Sequence, residues 1–102
     1  MNTYEELTEI VKHLDERFPD GCEIFQRVSR LAEETGELAQ MVNHMEGMGI
    51  KHEKYGMPDK EKLAKEVQDV MRAALGIAKH YEIEDLLEQS IHAAYKKSQK
   101  KV

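Results

Sequence analysis

Apolar residues recur every three or four positions along most of this chain, the spacing that puts them on one face of an α-helix. Four such stretches are legible. In the first, Leu7, Ile10, Val11, Leu14 and Phe18 follow Thr3-Tyr4-Glu5-Glu6, which has the form of a capping box. Pro19-Asp20-Gly21 ends that helix, and Asp20-Gly21-Cys22-Glu23 offers the next one a similar cap. The second helix, from about Cys22 to Met45, is the longest. Its stripe runs through Ile24, Phe25, Val28, Leu31, Ala32, Thr35, Leu38, Ala39, Val42 and Met45. The segment Glu46 to Pro58 has three glycines, a proline and no period, and reads as a loop long enough to be functional. A third helix begins near Asp59, with Leu63, Val67, Val70, Met71, Ala74, Ile77, Ala78 and Tyr81 facing inward. It gives way near Glu82-Ile83, where no Gly or Pro marks the break, to a fourth that carries Leu86, Leu87, Ser90, Ile91, Ala94 and Tyr95. No run alternates strictly like a strand, so the pattern predicts an all-α fold of four helices.

The polar positions add a second pattern. Glu33, Glu34 and Glu37 fall within one arc of about 100° on the second helix, just beside its apolar stripe. Glu66 and Asp69 hold the matching place on the third. If the two helices pack antiparallel, carboxylates converge at the edge of the core. Such a cluster repels itself unless a cation neutralises it, and hard divalent ions such as Mg²⁺ and Mn²⁺ take oxygen ligands. The plainer reading is a solvated helix face, with Arg30 pairing to Glu33 and Glu34 along the helix. The second acidic pair on a neighbouring helix favours the metal site.

Composition narrows the partners. The chain has 102 residues, enough for a single domain spanning 1–102, and 20 acidic against 15 basic residues give a formal charge of −5. That balance argues against a nucleic-acid or anionic-membrane partner. A single cysteine, Cys22, forms no intrachain disulfide and fits a reducing compartment, and with neither a secretion signal nor a membrane span the expected location is the cytoplasm. None of the five histidines stands three residues after a Glu, which excludes the Glu-x-x-His element of di-iron bundles. No Walker-type glycine loop is present, so phosphates would be held by metal and side chains.

Arg30-Leu31-Ala32-Glu33-Glu34-Thr35-Gly36-Glu37-Leu38-Ala39, followed by Lys65-Glu66-Val67-Gln68-Asp69-Val70, resembles the double motif of the MazG-like nucleotide pyrophosphohydrolases of the all-α NTP pyrophosphatase superfamily. The resemblance implies a four-helix MazG-like bundle completed by dimerisation. It implies Mg²⁺- or Mn²⁺-dependent hydrolysis of a nucleoside triphosphate to monophosphate and pyrophosphate. By matching position, Glu34, Glu37, Glu66 and Asp69 are the expected metal ligands, with Glu33 and Glu34 as catalytic carboxylates. The implied assembly is a homodimer, or two such dimers as a tetramer. Members usually carry Gly before the motif Asp, where this chain has Gln68. They often carry Lys and Asn in the last helix, where an ungapped alignment puts Ala94 and Ser98. Arg72, Lys97 and the loop residues Lys51 and Lys54 are then the expected phosphate-binding cations, and the glycine-bearing loop is expected to close over the nucleotide. Two other readings remain: a non-catalytic helical interaction module, and phosphoribosyl-ATP pyrophosphohydrolase.

Overall fold

The computed structural model describes residues 1–47 and 59–100. These residues form four α-helices and no strand: α1 (Thr3–Arg17), α2 (Ile24–Met45), α3 (Lys60–His80) and α4 (Glu84–Ser98), with a 3₁₀ turn at Pro19–Gly21. Two starts differ from the sequence reading. Asn2, one residue before Thr3, caps α1 by accepting the Glu5 N–H at 2.8 Å, so Thr3 is already helical. The 3₁₀ turn takes up Asp20 and Gly21, and the cap of α2 moves to Glu23, whose carboxylate accepts the Gln26 N–H at 3.1 Å. The third helix begins next to Asp59 as expected, and Asp59 caps it by accepting the Glu61 N–H at 2.9 Å.

The unmarked break between α3 and α4 has a defined geometry. Ile83 N–H donates back to the Ala78 carbonyl at 3.0 Å, and Glu82 N–H to the Lys79 carbonyl at 3.0 Å. This is the paired bonding of a Schellman motif, with Glu82 at the left-handed position (φ 55°) that glycine usually fills. A side chain there costs about 1 kcal/mol. Glu82→Gly is therefore expected to stabilise the chain by about 1 kcal/mol, raising its melting temperature by roughly 5 °C in a calorimetric scan.

Helices α2 and α3 form the most extensive pair. Arg27 lies against Gly76, while Glu34 and Glu37 meet Glu66, so the two run antiparallel. Half-buried Ile24, Arg27, Leu31, Glu34, Leu38, Met41 and Met45 of α2 alternate steps of three and four as in a coiled-coil seam, with His44 half-buried beside them. Leu63, Glu66, Val70, Ala73 and Ile77 give α3 the matching row. Two glutamates and an arginine thus occupy positions that packing alone would give to apolar residues. Helix α1 lies on α3, where Leu7 and Val11 bury against Leu75, with Tyr4 and Leu87 packed around them. The Tyr4 hydroxyl donates to the Glu84 carbonyl and ties α1 to the start of α4.

An ion-pair strut joins three helices at the α1–α2 corner. Arg27 donates through Nη2 to Asp15 Oδ2 at 2.9 Å, through Nη1 to Oδ1 at 3.3 Å, and through Nε to the Cys22 carbonyl at 2.9 Å. Lys79 Nζ approaches Asp15 Oδ2 from α3 at 3.4 Å. The Arg27 and Asp15 side chains keep only 10% and 18% of their exposure.

The outer face of the pair is bare. Phe25, Val28 and Val42 on α2, with Val67 and Met71 on α3 and Tyr81 just past its end, are 42–76% exposed, and neither α2 nor α4 has a fully buried residue. The sequence reading had placed these residues inward. Helix α1 covers one side of the α2–α3 pair by packing on α3.

Candidate metal centre

Glu34 and Glu66 face each other because both sit in the α2–α3 seam, and Glu37, one turn beyond Glu34, joins them from the rim. One carboxylate oxygen from each of the three lies within 4.8 Å of the others. Oε2 of Glu34 and Oε2 of Glu66 are out of solvent, with no hydrogen-bond partner among the described residues. A carboxylate oxygen in that state carries a desolvation penalty that a hydrogen bond or a cation must offset. Burial, and then the charges of Glu37, Asp69 and Glu66, push the Glu34 carboxyl above the ordinary glutamate range. Three carboxylates gathered at this spacing, two of them with a buried orphaned oxygen, fit a divalent cation.

Asp69 stands differently. Its Oδ2 accepts from Lys65 Nζ at 3.0 Å, and its Oδ1 lies 3.6 Å from Arg72 Nη2. It adjoins the three glutamates closely enough to raise Glu34 but already has cationic neighbours. Gln68 explains the orientation of Arg72, since its Oε1 accepts from both Nε and Nη2, at 2.9 and 2.6 Å. Gln68 therefore holds the guanidinium beside the acidic cluster.

Other expected site residues are not gathered here. Glu33 is exposed and lines a separate shallow groove with Asp20, Phe25 and Arg30. Lys97 is exposed at the far end of α4 and does not line the cleft beside the centre. Lys51 and Lys54, with most of the expected closing loop, lie outside the described residues. No ion pair joins Arg30 to Glu33 or Glu34 among the described residues, contrary to the plainer sequence reading. Sequence reasoning missed Asp15 and Arg27. The signal was present in the three-four register of α2, where Arg27 stands one turn before Leu31 on the packed face.

Comparison of the chain with protein-family models, with curated proteins and with solved structures finds no match, so the three clustered glutamates and the groups around them carry the functional reading.

Proposed function

We propose that the chain is a metal-dependent nucleoside triphosphate pyrophosphohydrolase of the MazG-like type, with Glu34, Glu37 and Glu66 as principal Mg²⁺ ligands and Asp69 beside them. The observation that carries this reading is the pair of buried, unpartnered carboxylate oxygens facing each other across the α2–α3 seam. Water adds to the α-phosphorus, the bond from that phosphorus to the bridging oxygen breaks, and pyrophosphate leaves with that oxygen. The second oxygen of Glu34, not engaged by the metal, takes the proton of the attacking water. Arg72, fixed by Gln68, offers its remaining N–H groups to phosphate oxygens. Mg²⁺ at such a site supplies charge neutralisation and activation of water. Release of pyrophosphate from a panel of nucleotides in Mg²⁺, and its loss in chelator, tests the activity. No release from any of them would leave the non-catalytic interaction module.

The same reading includes a homodimer. A chain of 11.8 kDa that is compact alone exposes about 5,900 Å², yet this one exposes 8052 Å². Its radius of gyration is 16.4 Å, against about 13 Å for a compact domain of this length. Phe25, Val28, Ala32, Thr35, Ala39 and Val42 repeat the three-four spacing on a face of α2 turned away from the cleft, beside Val67, Met71 and Ala74 of α3. A second copy laid on this face gives a four-helix bundle. Gly36 is consistent with it: no described atom lies within 4 Å of where its Cβ would be, and a mid-helix glycine costs about 0.5–1 kcal/mol against alanine. Sedimentation is expected to give twice the chain mass at micromolar concentration, and Val28→Glu to reduce it to a poorly folded monomer. A stable, well-folded wild-type monomer would refute the dimer.

A further inference from the structure

Asp69 differs from the glutamates beside it in what stands on its oxygens. Glu34 and Glu66 each have a buried oxygen with no partner among the described residues, whereas both Asp69 oxygens face cations of their own helix. Lys65 Nζ lies 3.0 Å from Oδ2, and Arg72 Nη2 lies 3.6 Å from Oδ1. The two cations are held in different ways. Arg72 is anchored independently of Asp69, because Gln68 Oε1 accepts from its Nε and Nη2, and its side chain is 28% exposed. The Lys65 side chain is 66% exposed, and Asp69 is its sole ion-pair partner among the described residues. An ammonium on a flexible four-carbon stem, tied at one point, swings into water with little loss. Helix geometry ties this pair to the acidic centre. Glu66 follows Lys65 directly and stands three residues before Asp69, and Asp69 lines the same cleft as Glu34.

We infer that Lys65 is a tethered competitor for the divalent cation of this centre: its ammonium holds Asp69 Oδ2 and gives up that oxygen when the ion is bound. The inference rests on the metal-site reading and adds to it a residue, Lys65, that sets how tightly the ion is held. The competition is electrostatic. An ammonium and a divalent ion on one carboxylate repel each other at a separation shorter than the roughly 8 Å screening length of physiological salt. The exposed lysine pair is the weaker contact, since such a pair shifts an equilibrium by roughly fivefold at most. Lys65 therefore lowers the affinity of the centre without closing it. Arg72, anchored by Gln68, keeps its place when Lys65 withdraws.

Calorimetric titration of Mg²⁺ into the full chain, with no nucleotide present, tests this. Lys65→Met keeps an unbranched side chain and removes the charge, and it is expected to tighten Mg²⁺ binding by roughly three- to fivefold. Lys65→Arg keeps the charge and is expected to bind Mg²⁺ no more tightly than the wild type. Lys62 supplies the control for charge alone: it is exposed, lies one turn earlier on α3 and forms no ion pair among the described residues. Lys62→Met is expected to change the affinity by less than about twofold, as a distant exposed charge does. Equal tightening by Lys62→Met and Lys65→Met overturns the inference, because the lysine then acts only through its charge at a distance. Unchanged or weaker binding by Lys65→Met overturns it too, as does tightening by Lys65→Arg. A wild-type chain that binds no Mg²⁺ removes the metal centre and the inference together. If the variants shift Mg²⁺ binding as expected but no nucleotide releases pyrophosphate, the competitor stands and the hydrolase reading falls.

Discussion

Glu66→Gln is expected to reduce Mg²⁺-dependent pyrophosphate release by roughly 100-fold or more, while the metal-free variant melts at or slightly above the wild-type temperature. The two halves of this result have one cause. Glu66 faces Glu34 in the α2–α3 seam, and each has a buried oxygen with no partner. Replacing one carboxylate with an amide keeps its shape, removes a charge from a self-repelling group, and supplies an N–H that can reach its neighbour. Stability without metal then holds or rises. With metal, a ligand charge is gone, and both affinity and activation of water suffer. Asp69→Asn serves as the contrast. Asp69 already accepts from Lys65 and lies near Arg72, so its neutralisation strips existing ion pairs and is expected to lower the melting temperature in chelator. Melts in chelator beside assays in Mg²⁺ check both variants. A Glu66→Gln chain that melts lower and keeps full activity would sink the metal-site assignment.

Arg27→Met should cost on the order of 3 kcal/mol at neutral pH, because it leaves the Asp15 carboxylate largely buried with only Lys79 near it. That is a large part of the roughly 5–15 kcal/mol that holds a small domain together. Urea unfolding measures the loss. The double variant Arg27→Met with Asp15→Asn should recover much of it, since no uncompensated charge remains; a double variant no more stable than the single one would mean that the guanidinium acts by packing alone. The pH dependence has a definite sign. Burial alone would raise the Asp15 carboxyl, but the hydrogen bonds and charge of Arg27, and then Lys79, outweigh it and hold the group below the ordinary aspartate range. A depressed carboxyl contributes stability above its unfolded pKa and loses it as pH falls through the folded value. Glu34 runs the other way: its raised carboxyl binds a proton more tightly when folded, so the metal-free chain gains stability as pH falls toward the ordinary glutamate value. Metal-free stability should therefore rise as pH falls into the ordinary carboxylate range, then fall below it as Asp15 is protonated. Arg27→Met should lose the acid-side fall and keep the Glu34 rise.

The four helices were legible because their apolar spacing is regular and turn residues break it at Pro19–Gly21. The α3–α4 corner had no such residue, and the left-handed Glu82 shows why: the backbone bonds of the Schellman motif accept a strained residue without glycine. Glu34, Glu37 and Glu66 were legible from helix arithmetic, since position on a helix fixes direction. The register of α2 put Arg27 on the packed face, but its pairing with Asp15 was not legible, because that depends on how α1 is placed against α2, which no local spacing encodes. Inward placement of Phe25, Val28 and Met71 failed for a related reason. Periodicity marks an apolar face but does not say which layer covers it.

The seat of Arg27 over Gly76 also bears on register. A Cβ at position 76 would stand 3.1 Å from the guanidinium, so the arginine lies close because the glycine leaves room for it. Purely apolar seams with a three-four repeat can slide by a heptad at little cost, whereas a polar residue that has only one satisfactory berth penalises each displaced alignment. If α2 slid along α3, Arg27 would leave its gap over Gly76, and the distance to Asp15 and Lys79 would grow with it. The strut thus indexes α2 against α3, and the same indexing sets Glu34 opposite Glu66 about two turns away.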